Sequence, residues 1–356
     1  MIDRFLTSST RRLAVSWAVA LAALLTANPL VGQEERDEPL MDELVRVFQK
    51  PYLSFGTLVQ TVGTFQADRT LPGGNGFSIG TARLRMYGEL DKGFGYFFQA
   101  DFVLSRPIRD AQMYFRLAPA LRLDAGLFKV PFSREFLTYG GAIDFVNRAR
   151  AVSALAPGRQ IGVQAGGEVG AGSWTYAVGL FNGNRFIEAN VNDNNEFLYA
   201  ARIAYLPGAL RGPGESDRFV VGLNAAYSRD GDVTLIGITD SFEGERALFG
   251  LDARWNRDRW LVAGEWLVAF LEPVGADSLK PYGWHLTGGY MLAERSQALL
   301  RWDRFRPANG ERTADLIIAG FNHWPTRATE VQVNLGVPTE GDLDRSQALI
   351  NLQLAF

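Results

Sequence analysis

Apolar and polar side chains alternate with a period of two from Tyr52 almost to the last residue, and few folds accept that pattern over so much chain. Sixteen alternating segments can be counted, most of them about 9–11 residues long, which is the length of a tilted strand that crosses the hydrocarbon layer of a membrane. In the last segment, for example, Ile350, Leu352 and Leu354 alternate with Asn351 and Gln353. Successive side chains of a strand point to opposite faces, so each segment predicts a strand with one apolar and one polar face.

The connections between these segments alternate between tight turns and long loops. The tight turns are expected at 91–93, 118–120, 256–258 and 325–327, and the long loops at 67–76, 131–160, 184–195, 229–246 and 271–281. Segment 207–217 is an exception, because it is long where a tight turn is due. A soluble sandwich also alternates, but this arrangement of connections is typical of outer-membrane barrels. We therefore expect an all-β fold, a transmembrane antiparallel up-and-down β-barrel of about 16 strands over residues 51–356.

The first 50 residues do not share this pattern. Residues 1–32 combine a positive start with the apolar run 13–27 and predict a cleaved signal peptide. Residues 33–50 are acidic and predict either a short periplasmic helix after Pro39 or a disordered leader. Whether this leader plugs the barrel stays open.

Composition excludes several classes of function. Lys and Arg total 36 against 39 Asp and Glu, so there is no basic footprint for nucleic acid. The chain has no cysteine, which excludes disulfides and thiolate metal sites. A barrel enzyme that modifies lipids needs a nucleophile beside a base, and neither histidine, His285 or His323, has an evident partner in the sequence. We expect no enzyme, no cofactor and no metal site.

The C-terminal run that ends at Phe356 resembles the signature of bacterial outer-membrane proteins, which implies recognition by the barrel-assembly machinery. A second resemblance covers most of the chain after residue 76. It rests on segments 77–79, 82–85, 88–90, 126–133 (GLFKVPFS), 157–163 (PGRQIGV), 174–176, 179–183 (GLFNG) and 301–305 (RWDRF), together with Asp110, Ala111 and Glu265. Their order and spacing are similar to the phosphate-selective porin O/P family. That resemblance implies a sixteen-stranded barrel in the outer membrane of a Gram-negative cell, often assembled as a homotrimer, with outer-membrane lipid around it.

One departure from the family concerns the substrate. Its phosphate-specific members share an inward arginine ladder and a lysine cluster. Only Lys50, Lys92, Lys129 and Lys280 are lysines here, so 32 of the 36 basic residues are arginines and the cluster cannot be supplied. The resemblance therefore does not carry phosphate specificity to this chain.

The candidate site consists of inward arginines. By the period of two, pore-lining and anion-binding roles are expected for Arg83, Arg85, Arg116, Arg202, Arg254 and Arg301, because a charge facing lipid at mid-depth costs roughly 2–4 kcal/mol. Seven acidic residues are predicted on the same face. The alternative role of the arginines is therefore structural, as ion pairs with these acids: Asp101, Asp110, Asp124, Asp252, Glu265, Asp303 and Glu330. The resemblance nominates loop 131–160 as a constriction that folds inward, with Arg134, Arg148, Arg150 and Arg159. A solvated surface loop is the alternative.

These features predict a porin for passive diffusion of small hydrophilic solutes, with a weak anion preference set by Arg83 and Arg85. Two alternatives remain open from the sequence. One is a structural or adhesion barrel whose lumen is closed, and the other is an outer-membrane enzyme that modifies lipids.

Overall fold

The computed structural model describes residues 49–66, 74–183, 191–207, 218–307, 313–341 and 343–356, with the single positions 43, 47 and 68. The expected signal peptide and most of the acidic leader lie outside the described residues. Glu43 and Val47 are helical, and the short strand β1 (Gln49–Lys50) pairs with the strand that follows it. Among the described residues, no helix is long and apolar enough to span a membrane.

Sixteen longer strands form one closed antiparallel sheet in which each strand pairs with its neighbours in sequence. They are β2 (Leu53–Gln66), β3 (Gly76–Glu89), β4 (Phe94–Asp101), β5 (Ile108–Ala118), β6 (Leu121–Lys129), β7 (Arg159–Val169), β8 (Trp174–Phe181), β9 (Leu198–Tyr205), β10 (Arg218–Leu235), β11 (Thr239–Arg257), β12 (Trp260–Pro273), β13 (Tyr282–Ala293), β14 (Ser296–Arg306), β15 (Leu316–His323), β16 (Thr329–Pro338) and β17 (Gln347–Ala355). The last strand pairs back onto β2 and closes the barrel. The expected sixteen-stranded up-and-down barrel is confirmed.

The two faces of each strand differ as the alternation predicts. On β17, Asn351 is fully buried while its neighbour Leu352 is 55% exposed, and on β5 Met113 is 69% exposed beside the inward Gln112. Apolar side chains are thus exposed on the outer wall and polar side chains are buried within. Such a surface suits lipid outside and a polar lumen inside.

Aromatic pairs mark one end of the outer wall. Phe94 stacks on Phe115 of the next strand with 4.2 Å between ring centroids, Trp174 meets Tyr205 at 4.5 Å, and Trp260 meets Tyr290 at 4.6 Å. All three pairs lie beside short turns such as 119–120, 170–173 and 258–259, so we call this end the short-turn rim and the opposite end the long-loop rim. Trp and Tyr favour the depth where one side of the ring is apolar and the polar atom stays wet.

The prediction of a long loop at residues 229–246 is wrong. Strands β10 and β11 continue through it and are joined by residues 236–238 alone. Asp230, Gly231 and Asp232 have the composition of a turn, but the hairpin accommodates them as register irregularities between Asp230 and Val233. The exceptional connection expected at 207–217 falls almost entirely outside the described residues.

The connection between β6 and β7, residues 130–158, folds into the barrel, and we call it the inner loop. It contains helix α1 (Arg134–Leu137), a 3₁₀ turn (Gly140–Ala142) and helix α2 (Arg150–Leu155), and α2 contacts β12, β13 and β14. Phe132, Val152 and Leu155 of the loop are buried in one apolar cluster with inward side chains of the strands: Leu248, Leu267, Leu271 and Phe305. The core of this protein therefore lies inside the barrel, against inward side chains of β6, β8–β12 and β14.

Candidate functional site: the lumen and its inner loop

Glu135 at the start of α1 joins the inner loop to the barrel wall. Its Oε1 atom accepts a 2.6 Å hydrogen bond from Nη2 of Arg301, and its Oε2 atom accepts one of 2.9 Å from the backbone N–H of Ala149. His285 Nε2 lies 3.8 Å from the same Oε2. Burial raises the pKa of the Glu135 carboxyl, but the charges of Arg301 and His285 and these hydrogen bonds outweigh it and hold the pKa below its usual value. The ionised carboxylate is thus the stable form.

Inward amide side chains satisfy the backbone of the inner loop. Asn334 Oδ1 accepts from Val146 N at 2.8 Å, and Gln332 Nε2 donates to the Ile143 carbonyl at 3.1 Å. Further contacts of this kind join Gln353 to the Gly141 carbonyl and Asn322 to the Asp144 carbonyl, both at 2.9 Å between Nε2 or Nδ2 and O. Buried backbone groups need such partners, so the polar face of β15–β17 holds the loop across the lumen.

Lys129, at the end of β6, holds the other side of the loop. Its Nζ atom donates to the carbonyl oxygens of Phe136, Leu137 and Thr138 at 2.7, 3.0 and 2.9 Å, which uses all three N–H donors of the ammonium. Helix ends leave such carbonyls without partners, so Lys129 caps α1. This role was not predicted from the sequence, although a lone inward lysine in the 126–133 segment is a visible signal.

The structure places the six expected pore-lining arginines on the inner face, and five of them form ion pairs. Arg83 Nε lies 2.8 Å from Asp101 Oδ2, and Arg254 Nη1 lies 2.7 Å from Asp144 Oδ2. Arg202 pairs with Asp252, Arg301 with Glu135, and Arg116 with Glu89 at the short-turn rim. Arg85 is different: among the described residues no Asp or Glu carboxylate lies within 4.0 Å of it. Its Nη2 atom donates to the main-chain oxygen of Phe356 at 3.3 Å, and its guanidinium lies 4.3 Å from the ring centroid of Tyr139.

The four arginines of the expected constriction loop divide evenly. Arg150 Nε lies 3.0 Å from Asp303 Oδ1, and Arg159 Nε lies 3.0 Å from Asp110 Oδ1. Arg134 and Arg148 have no carboxylate within ion-pair distance in the described part of the chain. Burial lowers the pKa of both guanidiniums, and the neighbouring charge of Arg254 lowers that of Arg134 further.

Arg109 is a lumen residue that the alternation assigns to the wrong face. Asp110 points inward, so its neighbour should point to lipid. A bulge intervenes, since Gln99 pairs with Asp110 and the next residue, Ala100, pairs with Ile108. Arg109 is left between these pairs and lines the same cavity as Arg148 and Arg159. Nothing in the local sequence predicts this bulge.

Residues 59–342 match the family described as phosphate-selective porin O and P. The chain belongs to this porin family. It is an outer-membrane channel for small solutes, and the expected location in the bacterial outer membrane is confirmed.

Solved porins share the fold at low sequence identity. The anion-selective porin from Comamonas acidovorans has a TM-score of 0.64 and 14% identity, covering 85% of this chain and 99% of that one. OmpT of Vibrio cholerae, folded in vitro, has a TM-score of 0.62 and 12% identity, covering 85% and 97%. The channel DcaP of Acinetobacter baumannii has a TM-score of 0.57 and 10% identity, covering 87% and 99%. Among curated proteins no sequence match was found.

One serine–histidine contact in this porin bears on the enzyme alternative. Ser296 Oγ lies 2.9 Å from Nδ1 of His323, a pair that was not predicted from the sequence. Nucleophilic catalysis also needs a third group that orients the base. Among the described residues none hydrogen-bonds the other ring nitrogen of His323. His285 lies buried beside Glu135 and Glu265, with both ring nitrogens unbonded in the described part of the chain.

Proposed function

We propose that this porin is a passive channel for small hydrophilic solutes that prefers anions and performs no catalysis. The observation that carries the preference is the uneven pairing of charges along the lumen. The anion preference does not follow from the family alone, because the lysine cluster of the phosphate-specific members has no counterpart in this chain.

Most inward acids are already neutralised. Five of the seven acids that the alternation places on the inner face form ion pairs with arginine: Asp101, Asp110, Asp124, Asp252 and Asp303. The other two, Glu265 and Glu330, have no arginine or lysine within ion-pair distance among the described residues, and Glu265 lies 4.0 Å from His285 Nε2. The inner face therefore offers a cation few free carboxylates.

Most of the inward guanidiniums without an Asp or Glu partner lie on one side. In the described part of the chain, four of them lie on β3, on β5 and its preceding loop, and on the inner loop facing them: Arg85, Arg106, Arg109 and Arg148. A fifth, Arg134, lies on α1 near Arg254. At about 6 Å and an effective dielectric constant of about 20, one such charge attracts an anion by about 3 kcal/mol before salt screening. That exceeds thermal energy several-fold, so the unpaired arginines decide the sign of the preference.

Assembly as a homotrimer belongs to this proposal. The outer wall of β5–β8 has a shallow apolar cavity of about 680 Å³ whose lining includes Met113, Val163 and Val178. A concave apolar surface can accommodate a second copy or lipid chains. Migration of the unheated protein in a detergent gel at the mass of three chains would support the trimer, and migration as one chain would contradict it.

Reversal potentials in planar bilayers under a KCl gradient test the anion preference. The wild type should pass Cl⁻ more readily than K⁺, and the double variant Arg85→Gln/Arg109→Gln should lose this preference while it still conducts. Arg327→Gln, in the exposed turn between β15 and β16, is the matched control and should not change the ratio. A wild type that prefers K⁺ would overturn the proposal.

A barrel with a closed lumen is the second candidate, and the apolar cluster between α2 and the wall favours it, because that cluster fills part of the lumen. The same bilayers distinguish the two functions. Insertion without conductance would support a structural role and exclude the channel.

A further inference from the structure

A cavity at the long-loop rim combines arginines with an apolar lining. Its volume is about 530 Å³, within the range of pockets that bind small ligands. Four guanidiniums line it: Arg106 from the loop before β5, Arg109 from the bulge, Arg148 from the inner loop and Arg159 at the start of β7.

Three of these guanidiniums, those of Arg106, Arg109 and Arg148, have no carboxylate partner among the described residues. Arg159 is bound to Asp110 through Nε–Oδ1 at 3.0 Å and Nη2–Oδ2 at 3.1 Å. Arg148 donates only to carbonyl oxygens, from Nε to Glu135 at 3.0 Å and from Nη2 to Thr138 at 2.8 Å, so most of its five donors remain. Arg109 Nε is buried without a hydrogen-bond partner among the described residues. A buried donor without a partner is costly, so a bound anion that accepts from it would gain affinity.

Asp110 is the one carboxylate that pairs with any of the four arginines in the described chain, which leaves an excess of three positive charges at the cavity. Arginine presents its donors in a planar fork that matches a carboxylate as well as a phosphate. Charge alone therefore indicates an anion and leaves its chemical class open.

The apolar lining of the cavity favours an organic carboxylate over inorganic phosphate. Leu104, Ile108, Phe136, Ala156 and Ile236 line the same cavity as the arginines. Leu104 and Ile236 are 41% and 55% exposed, so they are available for contact. Inorganic phosphate would gain nothing from these side chains, whereas an organic acid could bury an apolar body against them at about 25 cal/mol per Å².

We propose that this cavity binds organic acids that carry a carboxylate on an apolar body, and that it is the first binding site for such anions at the long-loop rim. The inference rests on the proposed anion preference and adds the substrate class. The carboxylate contacts Arg106, Arg109 and Arg148, and the apolar body contacts Phe136, Leu104 and Ile236.

Block of the chloride current in planar bilayers tests the proposal with three probes at pH 7: benzoate, acetate and inorganic phosphate. Benzoate should block at a concentration at least tenfold below that of acetate or phosphate, because acetate has the same charge without the apolar body. Block should occur from one side of the membrane at lower concentration than from the other. Equal potency of benzoate and acetate, or stronger block by phosphate, would overturn the assignment.

Two variants separate the charge from the apolar contact. Arg106→Gln/Arg109→Gln should weaken benzoate block at least tenfold, and Leu104→Ser/Ile236→Ser should weaken benzoate block several-fold without changing that of acetate. Arg327→Gln should leave all three probes unchanged. If neither double variant alters benzoate block, the cavity is not the binding site.

The Cl⁻/K⁺ permeability ratio measured in the same membranes separates this inference from the proposed function. An anion-preferring channel in which benzoate and acetate block equally would overturn the carboxylate site alone. A cation-preferring channel would overturn the proposed function and the site that rests on it.

Discussion

Arg301 Nη2 lies 2.6 Å from Glu135 Oε1, and both side chains are almost completely buried, although they are 166 residues apart in the chain. The guanidinium also lies 4.2 Å from the ring centroid of Phe145, so Arg301 contacts the inner loop at two separate points. This pair fixes α1 to β14 and thereby sets the position of the loop in the lumen. Its loss is the most direct way to release the inner loop from the wall.

Replacing Arg301 should therefore change the pore more than the barrel. In Arg301→Met, Glu135 keeps a buried charge without its main partner, and loss of one partner of a buried pair costs about 3–5 kcal/mol. We expect the inner loop to detach, with larger and noisier single-channel conductance and a barrel that still resists detergent. Arg246→Gln is the control, because Arg246 forms a buried ion pair with Asp230 and, in the described part of the chain, no hydrogen bond or ion pair joins it to the inner loop. Unchanged conductance in Arg301→Met would contradict this role.

Lys129→Met should loosen α1. The substitution keeps most of the length of the side chain but removes three hydrogen bonds from a charged donor, each contributing roughly 1.5–3 kcal/mol. Limited proteolysis of the detergent-solubilised protein should then cleave within residues 133–149 at least several-fold faster than in the wild type. Lys92→Met, in an exposed turn, provides the control. Equal cleavage rates for wild type and Lys129→Met would show that the apolar cluster alone holds the loop.

Asp315, just before β15, makes the stability of the fold depend on pH. Burial raises the pKa of its carboxyl, but hydrogen bonds from Arg304, Trp302 and Arg306 outweigh that and lower the pKa from 3.8 to about 2. Because the pKa of Asp315 is lower in the folded than in the unfolded protein, its ionised carboxylate stabilises the fold. This stabilisation is complete above about pH 4 and is lost as the pH falls through about 2.

Asp315→Asn should accordingly unfold at a lower temperature than the wild type at pH 5, and the difference should shrink between pH 4 and pH 2. Heat-dependent gel mobility at each pH measures the transition. The control is Asp240→Asn, at an exposed position of β11. A difference that stays constant down to pH 2 would mean that the ionised carboxylate does not stabilise the fold.

Removal of Phe356 should prevent insertion. Its carbonyl oxygen accepts from Thr57 N at 2.9 Å and its N–H donates to the Thr57 carbonyl at 3.3 Å, so the last residue completes the seam between β17 and β2. The chain without Phe356 should accumulate as periplasmic aggregate or be degraded, whereas Phe356→Trp, which keeps a terminal aromatic, should insert. Surface yield equal to that of the wild type after the deletion would show that the terminal aromatic is not required.

The features of the barrel that the sequence predicts are those set by the local geometry of a strand. Because side chains of a strand alternate between faces, the period of two predicted the sixteen strands and the inward face of residues such as Arg83, Arg202 and Arg301. The alternation of tight turns and long loops then predicted a barrel and not a sandwich. The period of two also placed Asn351 inside and Leu352 outside. The face that a side chain takes depends only on its position along its own strand. It can therefore be predicted from the sequence without knowing which residues it contacts on other strands or loops.

Only the tertiary structure decided which arginines remain free. Arg301 and Glu135 meet because the inner loop folds back onto β14. Arg85 lies beside Tyr139 and donates to the main-chain oxygen of Phe356, without an Asp or Glu partner among the described residues. The bulge at Arg109 and the continuous hairpin at 236–238 likewise depend on register with the next strand, which a local alternation cannot express. Contacts between residues far apart in sequence set these features, and those contacts form only when the barrel closes around its loop.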